Sequence, residues 1–414
     1  MINSIFAQDA IKQYIKSSAK AIATKSTTKD YIEKLPDLSS AIGSAKIVML
    51  GEQDHGDGAT YLAKTRIVKY LHDQLGFSVL VFEDDFFSIN QGWEELQNQH
   101  MSYESFLKTI SITWRGCDGS GEFLTKYIAA HRNSTRPLAL AGMDNTMHTP
   151  HLLTSIDSLV RKMNLEVTWD SVSYKLKMNQ ISSWYKYIDD PVSTKAIDAS
   201  LREIKEQLAA KIGANDFWVY CLDNFVSLIH QYANRKINLW KFRNIRDHQM
   251  ARNLRWLSEI KYPGQKIIVW SHNYHVSKNS GNYPQTFLNE GRSMASYFIN
   301  DTTLQNVYSI GFTSRSGWAG RIMEKKHQLP KHRSNSLEMW VEDSITEGFV
   351  DFKPFNLLNK QYKEPFYMAG GIIGGNENER QPYHKDHYAS WNLIFDGIYY
   401  IKEMFPCPVG DNKK

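Results

Sequence analysis

Five short apolar runs stand out along a chain whose remaining spacing is mostly helical. Residues 46–51 (KIVMLG), 78–82 (SVLVF), 137–143 (PLALAGM), 266–270 (KIIVW) and 306–312 (NVYSIGF) are apolar over spans too short for a helix, which predicts buried strands. Between the first two, Ala63, Ile67, Tyr70, Leu71 and Leu75 recur at helical spacing, so an amphipathic helix over 59–75 is expected to stop before Gly76. Strand, helix and strand in that order predict a βαβ unit with parallel strands and a right-handed crossover.

The long stretch between the third and fourth runs has a different character. Gly213 is the only glycine between Gly142 and Gly264, and Leu201, Ile204, Leu208 and Ile212 again recur at helical spacing. Several helices are expected there, forming a helical insertion over 150–262 with breaks at Pro191 and at 213–215. Past residue 313 glycine-rich loops take over, suited to walling a cleft. The chain should therefore be one α/β domain over 1–414, with a central, mainly parallel sheet flanked by many helices.

Polar residues follow each apolar run. Glu52 and His55 follow the first, Glu83 the second, Asp144 the third, His272 and His275 the fourth, and Thr313 the fifth. In an open parallel sheet the carboxyl ends of the strands line one edge, where ligands bind, so these side chains should converge. A carboxylate three residues from an imidazole, as in Glu52 and His55, can fix the tautomer of a general base for water. The bland alternative is a polar loop with Asp54 or Asp57 capping the next helix. Glu83, followed by Asp84 and Asp85, can be a solvated strand exit or the second carboxylate of an acid–base group. His272 and His275 suit metal ligation, oxyanion donation or capping. The HExxH, GxSxG and Walker patterns do not occur, so the usual serine-hydrolase signature is missing.

Composition narrows the partners. With 49 basic and 44 acidic residues the net charge is only +5, and no stretch gathers the Lys and Arg that a nucleic-acid groove needs. No apolar run approaches the roughly 20 residues that span a bilayer, and the N-terminus lacks the pattern of a signal peptide. Cys117, Cys221 and Cys407 are odd in number and far apart, which argues against a disulfide scaffold and for a reducing compartment. A soluble cytoplasmic protein is expected, with no membrane or nucleic-acid partner.

Taken in order, these motifs resemble a known family. Glu52, His55 and Gly56 in the pattern E-x-x-H-G, then Lys64, Gly76, Phe77 and Glu83, and later Trp270, Ser271, His272, Asn273 and His275, resemble the erythromycin esterase family. Trp114, Asp144, the helix bearing Arg246 and Asp247, the strand ending at Phe312, and Phe395, Asp396, Gly397 and Ile398 extend the resemblance. It implies an esterase that opens a macrolide lactone by water attack, conferring macrolide resistance, with His55 as base. Glu52 and Glu83 would orient that base and its water, and His272 and His275 would complete the site. Lys64, Asp144, Trp114 and Arg246 would contact the substrate, with no metal and no cofactor. Lys64 stands where macrolide esterases can carry Arg, a point charge in place of a planar fork. Asp84 and Asp85 would face the cationic amino sugar. The competing readings are a metal-dependent hydrolase with Glu52, His55, Glu83, His272 and His275 as ligands, and a non-catalytic binder of a hydrophobic ligand.

Overall fold

In a computed structural model the five apolar runs all become strands of one sheet. The structure describes residues 2–22, 36–146, 151–166, 191–279, 282, 290–301, 306–322, 324–360, 363, 365–371 and 384–407. The strands are β1 (Lys20–Ala21), β2 (Ile47–Leu50), β3 (Phe77–Asp85), β4 (Ala139–Asp144), β5 (Lys266–Trp270), β6 (Val307–Ala319), β7 (His327–Gln328), β8 (Glu347–Asp351), β9 (Phe366–Met368), β10 (His387–Ala389) and β11 (Gly397–Met404). Their order in the main sheet is β1-β8-β11-β6-β2-β5-β3-β4, with β7 on β6, while β9 and β10 form a separate antiparallel pair. The run β11-β6-β2-β5-β3 is parallel throughout. β8 and β1 add antiparallel strands at one side. Flanked by many helices, this mainly parallel sheet is the α/β fold expected.

Two features of the topology differ from the expectation. β2 and β3 are parallel but not neighbours, because β5 pairs with both of them. The exit of β5 therefore lies between the exits of β2 and β3. β8 and β11 were not anticipated as strands. β8 is five residues with an acid at each end, and β11 runs into Lys402 and Glu403, so neither reads as an uninterrupted apolar run.

The helix expected over 59–75 spans Gly58–Leu75. Gly76 follows it in the left-handed conformation (φ 71°) and returns its N–H to Leu71 O, a termination that glycine accepts without strain. The helix is buried on more than one side, and Tyr61 and Lys64 are both fully covered.

The chain divides into two units, Met1–Glu83 with Ile110–Leu140 and Gly264–Lys414, and Asp84–Thr109 with Ala141–Pro263. β3 and β4 begin in the first and end in the second. The second unit is helical, and Phe86, Phe217 and Trp256 pack ring to ring in it at 5.4–5.9 Å. Asn253 joins two of its elements, donating to Met143 O (2.8 Å) and exchanging hydrogen bonds with Asn224.

One expectation is overturned. Cys117 and Cys407 form a disulfide, with Cα atoms 5.0 Å apart across 290 residues of chain. Sequence spacing could not show this, because the pairing is made by the fold. The third cysteine, Cys221, is free and buried. The cysteine-based case for a reducing compartment therefore does not hold. Among the described residues no helix is long and apolar enough to cross a membrane.

Candidate active site

The chain leaves β2 through a loop that has little freedom. A Cβ on Gly51 would lie 2.0 Å from Asn273 Oδ1, and one on Gly56 (φ +94°) would lie 2.8 Å from Arg321 Cα. Asp54 accepts from the His55 N–H (2.9 Å) and from Arg321 Nε (2.8 Å), which ties the loop to the segment after β6. On its other side Cys407 N–H donates to Gly56 O (2.8 Å). The Cys117 disulfide thus links this loop to the segment carrying Trp114.

Held by this loop, Glu52 is fully buried and accepts at both oxygens. Oε1 lies 2.7 Å from His55 Nδ1, and Oε2 accepts from Lys64 Nζ (2.8 Å) and Trp270 Nε1 (3.1 Å). A carboxylate at Nδ1 places the ring proton there and leaves the lone pair on Nε2. That Nε2 lies 3.9 Å from Glu83 Oε1, and the His55 side chain is 26% exposed. Trp114 backs the ring edge-on at 5.3 Å and lies parallel to Tyr61.

Glu83 is held from the exit of β5. Its Oε2 accepts from Ser271 Oγ (2.7 Å) and the His272 N–H (2.9 Å), while Oε1 is 3.2 Å from His275 Nε2. His272 Nδ1 accepts the Tyr274 N–H (3.1 Å), so the neutral ring carries its proton on Nε2. The His272 ring stands 5.7 Å from His55 and 6.3 Å from His275. The five side chains singled out in the sequence, Glu52, His55, Glu83, His272 and His275, are thus gathered at three neighbouring strand exits.

The electrostatics separate the two central histidines. Burial alone would lower the His55 pKa, but the Glu52 hydrogen bond and the charges of Glu83 and Glu52 outweigh it and raise the pKa above the ordinary 6.5. Burial and the neighbouring His55 push His272 well below that value, which keeps it neutral. Burial lowers Lys64 to about 8, with Glu52 opposing the loss of charge. If neutral His55 is the working form, kcat/KM must fall as pH drops through its raised pKa. Glu83→Gln removes a charge that raises this pKa, so the acid limb should move to lower pH. A pH–rate profile of both proteins checks this, and an unmoved or oppositely shifted limb would reject the assignment.

The profile of the erythromycin esterase family matches residues 72–404, well over half of the chain. The chain belongs to that family. Within the family's match lie Glu83, Trp114, His272 and His275, whereas Glu52, His55 and Lys64 precede it. A Bacillus subtilis (strain 168) relative, YbfO, named provisionally as a hydrolase, is 25% identical over 404 residues, covering 89% of this chain and 86% of its own. The solved structure of a Bacillus cereus protein has a TM-score of 0.73 at 18% identity, covering 98% of this chain and 99% of that one. A succinoglycan biosynthesis protein gives the same score and identity over 97% and 99%. An erythromycin esterase, a histidine-to-asparagine mutant in its open conformation, scores 0.61 at 16% identity over 91% and 95%. These structures share the fold, and the family together with YbfO makes this member of the erythromycin esterase family a hydrolase.

The remaining candidates occupy other settings in this esterase-family chain. Lys64, expected to touch substrate, is fully buried, with its ammonium on Glu52, on Ser271 O (3.2 Å) and above the Trp270 ring (4.7 Å). Trp114 is buried against His55. Asp144 and Arg246 bind each other in the second unit, Nη2 to Oδ2 at 2.6 Å and Nε to Oδ1 at 3.0 Å. Asp84 and Asp85 do not form an acidic rim. Both are buried, and Asp85 caps the helix Phe86–Gln97 by accepting from Phe87 N and Ser88 N. Sequence reasoning quoted Trp270 and Ser271 in a motif without giving either a role, and passed over Tyr61 and the Asp54–Arg321 pair. Only Ser271, next to His272 at a strand exit, carried a local signal.

Proposed function

We propose that this chain hydrolyses a carboxylic ester with His55 as general base, and that its substrate is a macrolide lactone. The observation that carries the reading is the His55 ring, with Nδ1 bound to Glu52 and Nε2 facing Glu83 at 3.9 Å. That separation admits a water bonded to both atoms off their axis. His55 Nε2 takes one proton from the water as its oxygen attacks the ester carbonyl. Glu83 Oε1 accepts the other proton in a hydrogen bond and stabilises the imidazolium that forms. His272, with its proton on Nε2, supplies an N–H donor to the developing oxyanion, and His275 steadies Glu83. Collapse breaks the acyl C–O bond, and the leaving alkoxide recovers the proton from His55, giving a carboxylic acid and an alcohol. In a lactone both products stay on one molecule, so the ring opens.

Family membership supports the ester class, and the resemblance to macrolide esterases supports the substrate. Both Glu52 oxygens are already engaged, Oε1 by His55 and Oε2 by Lys64 and Trp270, so a metal there would compete with those contacts. Sequestration of a ligand has no use for an oriented base. The test is incubation of the purified protein with a panel of macrolides followed by mass spectrometry. A product heavier by one water is expected for at least one of them. Expression in a susceptible bacterium should raise resistance to that same compound. If every macrolide is recovered unchanged, the substrate assignment fails, and other esters remain to be assayed for the same chemistry.

A further inference from the structure

A second group of ligand-type side chains lies away from the Glu52–His55 pair and is not used by the mechanism. His332, Glu338 and Asp386 each offer a ligand atom within 4.8 Å of the other two. All three are largely removed from solvent, with Glu338 fully buried, His332 6% exposed and the Asp386 side chain 7% exposed. An ordinary salt-bridge cluster would use its polar atoms on one another. Here three of the six are fixed by backbone groups and a hydroxyl, and only His332 and Asp386 pair with each other.

His332 Nε2 donates to Ser314 O (2.9 Å), which leaves Nδ1 beside Asp386 Oδ1 at 2.6 Å. The second oxygen of Asp386 accepts the Arg333 N–H (2.7 Å). Glu338 Oε1 accepts the Ala369 N–H (2.8 Å) and the Thr313 hydroxyl. Its Oε2 is buried and has no hydrogen-bond partner. Glu338 is thus anchored through one oxygen and presents the other, while His332 and Asp386 are each anchored through one atom and paired with each other through the second. An imidazole N–H on a backbone carbonyl and ligand carboxylates held by outer donors are the usual supports of a metal site.

We propose that His332 Nδ1, Glu338 Oε2 and Asp386 Oδ1 form a structural divalent-cation site, separate from the hydrolytic cluster, for which zinc is the fitting ion. Once the ion displaces the Nδ1 proton that His332 shares with Asp386, one imidazole and two carboxylates match zinc in donor type, and their two negative charges offset the charge of the ion. Tetrahedral zinc ligands stand about 3.4 Å apart, given metal–ligand bonds of about 2.1 Å. The 2.6 Å Asp386–His332 contact would open, which is a side-chain adjustment. The residues that anchor the site also hold Gln53, since Ser314 Oγ donates to Gln53 Oε1 (2.6 Å) and Gln53 Nε2 donates to Ala369 O (2.7 Å). A bound ion would therefore stiffen the backbone next to Glu52 without touching the reacting atoms.

The test is titration of chelator-stripped full-length protein with zinc by calorimetry, and with cobalt(II) by visible absorption. One equivalent is expected to bind to the wild type and equally to His55→Asn. Affinity should fall by about 100-fold or more in Asp386→Asn and Glu338→Gln. Zinc should raise the melting temperature of the wild type and leave that of Asp386→Asn unchanged. Absence of zinc and cobalt binding by the folded wild type would overturn the site and leave a His–Asp ion pair beside a buried glutamate. Binding abolished by His55→Asn and retained by Asp386→Asn would place the ion in the hydrolytic cluster instead.

Discussion

His55→Asn is expected to reduce kcat by roughly 100-fold or more, the scale of losing general acid–base catalysis, while the protein stays folded. Asparagine can still donate to Glu52 from its amide, so the loop keeps that contact. It has no group that takes a proton from water at neutral pH. The fold should tolerate the change because the His55 side chain is a quarter exposed and its main packing contact is one edge of Trp114. The backbone of the loop is secured independently by Asp54, Arg321 and the Gly56 carbonyl. Single-turnover kinetics beside a circular-dichroism melt separate a lost base from a lost fold. Near-native turnover in a folded variant would transfer the base role to Glu83, whose Oε1 is the nearest alternative acceptor. The same variant should confer no macrolide resistance.

What local pattern could disclose follows from how each feature is encoded. The strands β2, β3, β4, β5 and β6 are buried on both faces, and burial on both faces writes an apolar run into the sequence. Because Glu52, His55, Glu83, His272 and His275 follow such runs at their carboxyl ends, a parallel sheet suffices to bring them together. The position of β5 between β2 and β3 has no local signature, since strand order is set by pairing across more than 180 residues. The same reason hides the Cys117–Cys407 bridge and the meeting of His332 with Asp386, 54 positions away. Lys64 shows the opposite failure. Hydropathy places a lysine on the wet face of a helix, whereas this one is buried because a carboxylate on the preceding loop waits for it. Asp84 and Asp85 mislead in the same way, as acids that read as rim but are buried, Asp85 as a helix cap.

Lys64→Met is expected to destabilise the protein by about 3 kcal/mol, because removing one partner of a buried ion pair strands the other. Both side chains of the pair are fully buried, so Glu52 is left desolvated where Lys64 Nζ sat at 2.8 Å. Trp270 Nε1 and His55 Nδ1 still reach that carboxylate, which places the loss at the lower end of the usual range. The pH dependence gives an independent sign. The pKa of Lys64 in the fold, about 8, lies below its ordinary 10.5, so between those values the unfolded chain binds more protons. Stability contributed by this group therefore rises as pH climbs from 8 towards 10.5, and the Met variant should lose that rise. Turnover should fall as well, since Glu52 without its lysine is held less firmly against His55. The double variant Glu52→Gln, Lys64→Met removes both charges and should recover stability to within about 1 kcal/mol of wild type, as buried pairs replaced together often do. It should not recover turnover, because a neutral amide holds the imidazolium poorly. Urea midpoints and kcat for the three proteins decide the matter. A single Lys64→Met variant as stable as wild type would mean that Glu52 does not depend on this lysine, and the place of Lys64 in the site would have to be reassigned.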